Sequence, residues 1–126
     1  GLGDVYKRQE LSISRNYRAS QQAFYAAERA ITYATVSENI YSTIGVGAVT
    51  LDGAHAAAIT ADTTNSNLKA DAVNEVRFLT TGPLPPGSGS DPTYFQSRFY
   101  TINVTAEGPS RATSRIEAQV ARIVPK

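Results

Sequence analysis

His55 is the single histidine of this 126-residue chain, and it stands between Ala54 and Ala56 with no acid or serine arranged around it in sequence. A general base needs an orienting partner and a proton within reach, so a lone histidine in an alanine run reads as structural or solvent-facing. Asp62, Asn65, Asn67 and Asp71 gather side-chain oxygens in one stretch. A calcium loop of the EF-hand kind also requires a central glycine and a closing bidentate glutamate at fixed spacing. The stretch has neither and reads as a polar loop. Gly45-Val46-Gly47 lacks the third glycine of a dinucleotide fingerprint, and a helical pattern precedes it where one should come after. Asn103-Val104-Thr105 matches a glycosylation sequon inside a segment with strand periodicity. The chain has no cysteine, which removes disulfides, thiolate zinc sites and thiol nucleophiles. With no convergent acid, base and nucleophile, the expectation is a protein that is not an enzyme and holds no cofactor or metal.

The bulk composition agrees with that expectation. Hydrophobic residues make up 41% and charged residues 18%, ordinary for one globular domain. A formal net charge of +1, with no basic run, argues against a nucleic-acid partner, because phosphate neutralisation needs clustered Lys and Arg. The uncharged run Asn39 to Leu51 is interrupted by Ser42, Thr43, Gly45 and Gly47, and no stretch reaches the roughly 20 apolar residues of a membrane span.

The elements that would position these residues emerge from periodicity. From about Leu11 to Ile44 there is no Pro or Gly, and Tyr17, Ser20, Phe24, Ala27, Ile31, Ala34, Glu38 and Tyr41 recur at intervals of three and four. That spacing predicts one face of a helix over about 11–44, widened by Ala23, Ala30, Tyr33 and Ile40, with Arg15, Arg18, Gln22 and Arg29 opposite. Gly45 and Gly47 stop it. About 30 helical residues at 1.5 Å each extend roughly 45 Å and outrun a small domain, so such a helix asks for a second partner along its free part.

Val46 to Leu51 is a candidate short strand, Ala54 to Ala61 a candidate turn of helix, and Thr60 to Asn67 a loop. Val73 to Thr80 reads as a strand, and Gly82 to Pro92 as a Gly/Pro/Ser loop. In the last third, Tyr100, Ile102, Val104 and Ala106 alternate with polar residues. Glu107-Gly108-Pro109-Ser110 makes a turn, and Ile116, Ala118 and Val120 alternate again. This is a β-hairpin whose apolar face needs a cover, and the helix supplies one. The expected fold is α+β: a long N-terminal helix packed across a small antiparallel sheet, at about 73–125, that ends in the C-terminal hairpin.

Asn16 to Ile31, and above all Ala23-Phe24-Tyr25-Ala26-Ala27-Glu28, resembles the PilX family of type IV pilus assembly proteins. Arg29 stands where that family more often has a small residue. Phe99 to Ala106 and Ile116 to Arg122 are similar to its terminal hairpin. The resemblance implies a pilin-like roll and a minor pilin, anchored in the inner membrane through a segment upstream of this sequence. Its domain would be periplasmic, or extracellular after assembly into a pilus, and its partners other pilin or pseudopilin subunits.

The opening Gly1 to Gln9 shares little with the rest of the chain and resembles translated sequencing-adapter read-through. Residues 1–9 are therefore read as a non-native leader and 10–126 as the domain. On this reading Tyr17, Ala23, Phe24, Ala27, Glu28, Ile31 and Tyr41 form the assembly and packing helix, its alanines permitting close approach of a second helix. The same alanines would serve equally well as helix formers packed on the sheet. Glu28 is open to an arginine of a neighbouring subunit, to Thr32, to solvent, or to Arg115 or Arg122 of its own sheet. Two alternatives share parts of this pattern: a minor pseudopilin of a type II secretion system, and a free-standing periplasmic binding or inhibitor domain.

Overall fold

The period-two segments of the last third build the centre of the molecule. The computed structural model describes residues 5–13, 17–61, 63 and 65–126, with side chains described from Gln21 onward. In chain order it contains β1 (Val5–Ile13), α1 (Tyr17–Val36), α2 (Glu38–Ile44), β2 (Ala48–Thr50), α3 (Gly53–Thr60), β3 (Asn67–Leu68), β4 (Glu75–Gly82), β5 (Phe95–Glu107) and β6 (Thr113–Pro125). The class is α+β. The strands form one antiparallel sheet in the order β1-β6-β5-β4-β2, with β3 paired to β5.

β5 and β6 pair in register from Phe95↔Pro125 to Glu107↔Thr113. The turn between them is closed by Gly108 N–H donating to the Ala112 carbonyl at 2.7 Å. Strict alternation sends Tyr100, Ile102, Val104, Ala106, Ile116, Ala118 and Val120 to one face, where all are buried. Thr101, Asn103, Thr105, Arg115, Glu117 and Gln119 take the other face, which is polar and partly or fully exposed. There Arg115 Nε donates to Asn103 Oδ1 at 3.1 Å and Arg77 pairs with Glu75 at 2.9 Å. One face of the sheet is core and the other meets water, as expected for an uncovered antiparallel sheet.

β4 joins β5 with a register shift between Phe78 and Thr80. Asn74, a buried residue the sequence does not single out, ties this region together. Its amide donates to the Lys69 carbonyl at 3.0 Å, its side-chain oxygen accepts from Thr105 N–H at 2.7 Å, and its own carbonyl accepts from Leu51 N–H at 2.8 Å. One residue thereby satisfies backbone groups of strands that would otherwise end unpaired.

The expected continuous helix over about 11–44 is corrected at two places. Val5–Ile13 is a strand along β6, from Val5↔Arg122 to Ile13↔Ser114. The run Leu11-Ser12-Ile13-Ser14 alternates with period two, and an open strand edge offers backbone partners to match. The helix also breaks at Ser37 (φ −85°, ψ 89°), which starts α2, with Ile40 N–H donating to the Ser37 carbonyl at 3.0 Å. The break turns Ile40, Tyr41 and Ile44 inward and leaves Glu38, expected on the apolar stripe, exposed. Among the described residues, no helix is long and apolar enough to cross a membrane.

Candidate functional site

Small side chains along one side of α1 let the helix settle close to the sheet. Ala23, Ala26, Ala27, Ala30, Ile31 and Ala34 are wholly buried, and all but Ala23 share the core cluster with Ile102, Val104, Ala118 and Val120. Phe24 is half-buried and packs against that cluster. Tyr41, from α2, is buried with its hydroxyl donating to the Ala34 carbonyl at 2.7 Å. Of the residues expected to form an assembly helix, Ala23, Phe24, Ala27, Ile31 and Tyr41 therefore meet in the chain's own interior. The alanine surface is already occupied by the sheet. The side chains of Tyr17, Ala19 and Ser20 lie outside the described ones, as does residue Asp62.

Glu28 lies on the other side of α1 and is exposed. The sheet arginines considered for it take other partners: Arg122 holds Glu38, and Arg115 holds Asn103 and Glu117. With Gln21, Tyr25, Arg29, Thr32 and Val36, Glu28 forms an outward row at helical spacing. Tyr25 is 59% exposed and Val36 69%. The row's flank meets α3, where Arg29 Nε donates to the Ile59 carbonyl at 3.1 Å and Tyr33 Oη lies 2.6 Å from His55 Nδ1. His55 is thus held by a tyrosine on the neighbouring helix. A groove of about 550 Å³ runs between α1 and α3 beside Tyr25, Glu28 and Ile59.

A second concavity, of about 750 Å³, opens where the end of α2 meets the ends of β5 and β6. Glu38, Tyr41 and Ser42 line it from α2, with Gly45 just past the helix end; Arg98, Tyr100, Arg122 and the run Ile123–Pro125 line it from the sheet. Arg98 and Arg122 are direct cross-strand partners. Arg122 is buried, lies 4.4 Å over the Tyr41 ring, and donates from Nη2 to both Glu38 carboxylate oxygens at 2.7 and 2.6 Å. Its Nε is buried with no partner among the described residues. Arg98 lies 4.2 Å over the Phe78 ring and donates from Nε to Tyr100 Oη at 2.9 Å and from Nη2 to the Gly45 carbonyl.

Tyr100 in turn stacks edge-on against Tyr41, at 4.9 Å between centroids, and Phe78, at 5.8 Å. Burial pushes the Tyr41 hydroxyl well above the ordinary tyrosine range, against the opposing pull of the Arg122 charge. Of these residues, the sequence alone points only to Tyr41 as a site residue. The signal that could have found the others is the arginine in each hairpin strand on the core-facing parity, Arg98 with Tyr100 and Arg122 with Val120.

No group of three or more His, Cys, Asp or Glu side chains that could hold a metal occurs among the described residues. In comparisons with known proteins, the chain matches no family model, no curated protein and no solved structure.

Proposed function

We propose that this chain is the globular part of a minor pilin-like subunit, one that works by packing against other pilin or pseudopilin subunits and carries out no catalysis. The observation that supports this reading best is α1 itself. Its Ala-Phe-Tyr-Ala-Ala-Glu stretch lies across an antiparallel sheet that ends in the C-terminal hairpin, and a row of the helix remains uncovered on the far side. Because the alanines are used up internally, the face offered to a neighbouring subunit is the row Gln21, Tyr25, Glu28, Thr32 and Val36. That row sets the exposed apolar area of Tyr25 and Val36 on either side of Glu28. The sheet's opposite face is polar and suits the outside of an assembly.

In this reading the subunit is anchored in the inner membrane by a segment upstream of Glu10, with its domain in the periplasm or, once assembled, outside the cell. The deciding experiment is to recover the coding sequence upstream of Glu10 from the source DNA. The reading expects about 20 consecutive apolar residues, enough to span a bilayer, behind a short leader ending in glycine. A polar start, or a cleaved secretory leader with no retained apolar helix, overturns it.

A further inference from the structure

We propose that the cavity between the end of α2 and the ends of β5 and β6 binds a small organic carboxylate. Its acid group would sit on the Arg98–Arg122 pair and its apolar body on Ile123, Val124 and Pro125. Such binding does not depend on the pilin reading.

The charge balance is the first observation. Two arginines stand directly opposite one another on adjacent strands, a pairing that is unfavourable for like charges, and both line the cavity. Among the described residues, Glu38 is the only carboxylate that lines the cavity. The second is an unmet donor: Arg122 Nε is buried and has no partner among the described residues, a group that ordinarily finds an acceptor.

The third is the contrast in burial and anchoring between the cations and their counter-ion. Arg122 is stacked on Tyr41 and its side chain is 10% exposed, while Arg98 is stacked on Phe78 and tied to Tyr100 and Gly45. Both forks are fixed before any ligand arrives. The Glu38 side chain, by contrast, is 74% exposed at the mouth of the cavity. It can swing into water when an incoming carboxylate takes its place on Arg122, so the buried cation keeps a counter-ion throughout. Glu38 thus acts as a resident carboxylate that an incoming one replaces. Arginine's planar fork matches a carboxylate in two-point geometry. The cavity, at about 750 Å³, falls in the range that holds a small ligand.

The test is titration of the folded chain with benzoate and with hexanoate, followed by amide chemical shifts, with inorganic phosphate as the comparison anion. Saturable shifts centred on residues 98, 122 and 42 are expected with both carboxylates. Glu38→Gln removes the competitor and should tighten binding about tenfold, a factor equivalent to about 1.4 kcal/mol. Arg98→Gln should weaken it about tenfold or more. Should Glu38→Gln unfold, Ser42→Trp gives an independent reading: Ser42 is exposed on α2 at the cavity, and the indole should block the site while leaving the melting temperature unchanged. Absence of saturable binding to the wild-type chain overturns the proposal. So does binding that neither Arg98→Gln nor Ser42→Trp weakens. Phosphate binding as tight as benzoate overturns the assignment to carboxylates.

Discussion

Arg122 carries its charge almost wholly out of water, and the carboxylate that answers it is mostly in water. The pair is therefore lopsided. Removing Glu38 leaves a buried cation that has, among the described residues, the Tyr41 ring against it and no carboxylate. Breaking a fully buried pair costs about 3–5 kcal/mol, but solvent screening at Glu38 reduces that. Glu38→Ala should destabilise the domain by about 1–2 kcal/mol, measured by urea unfolding at neutral pH. A cost under about 0.5 kcal/mol would mean that water in the cavity already solvates Arg122.

Tyr41 makes a second residue-scale test. Its hydroxyl titrates above its unfolded value, which lies near 10. The folded state therefore keeps a proton that the unfolded chain gives up. The associated stability is complete below about pH 10 and falls as pH rises beyond it. Tyr41→Phe removes the hydrogen bond to the Ala34 carbonyl and so lowers stability at neutral pH. It should also flatten the decline between about pH 10 and 12, since no phenol remains there to ionise. An alkaline limb that is equally steep in both proteins would place the titration elsewhere.

At the scale of elements, Gly45 is the joint on which the cavity depends. It closes α2 at φ 58°, ψ −123°, a conformation open essentially to glycine alone, and its carbonyl receives Arg98. A Cβ placed there meets nothing within 4 Å, so the cost of a side chain is confined to the backbone. Gly45→Ala should cost about 1–3 kcal/mol by thermal or urea unfolding. The loss should be accompanied by a change in the Arg98 side-chain resonances, because the carbonyl must turn.

The hairpin was legible in sequence because burial on one face imposes period two, and Tyr100 to Ala106 and Ile116 to Val120 obey it without interruption. The sequence bounds of the short strand β2 and of α3 were close for a related reason: glycine and polar residues bracket them. The interruption at Ser37 was not legible, since a three-and-four spacing continues across it from Ala34 to Glu38 and Tyr41. That spacing masks a weak local signal, the β-branched Thr35 and Val36 followed by an acidic residue in the first turn of α2; the Ser37 side chain makes no capping hydrogen bond. The arginine cavity escaped for a different reason. Arg98 and Arg122 lie far apart in sequence, and only the hairpin register makes them neighbours.

At the scale of the whole molecule, α1 has two sides with separate duties. The inner side joins β5 and β6 into one core, in which Ile31 is the largest wholly buried side chain that the helix contributes. Ile31→Ala should therefore cost about 2–5 kcal/mol, read by urea unfolding of the isolated chain. On the outer row Tyr25 and Val36 are mostly exposed, so Tyr25→Gln and Val36→Gln should each change stability by less than about 0.5 kcal/mol. This contrast bears on the assembly reading, because it separates folding from packing. If the outer row meets a neighbouring subunit, Tyr25→Gln and Val36→Gln together should leave the monomer's unfolding curve in place. In the anchored protein that the pilin reading proposes, they should abolish disulfide cross-linking between a cysteine introduced at Thr32 and cysteines on the proposed partner pilin. If cross-linking persists undiminished in the double variant, the outer row is not the packing surface. If Tyr25→Gln alone costs more than about 1 kcal/mol, the ring serves the fold and is not free for a partner.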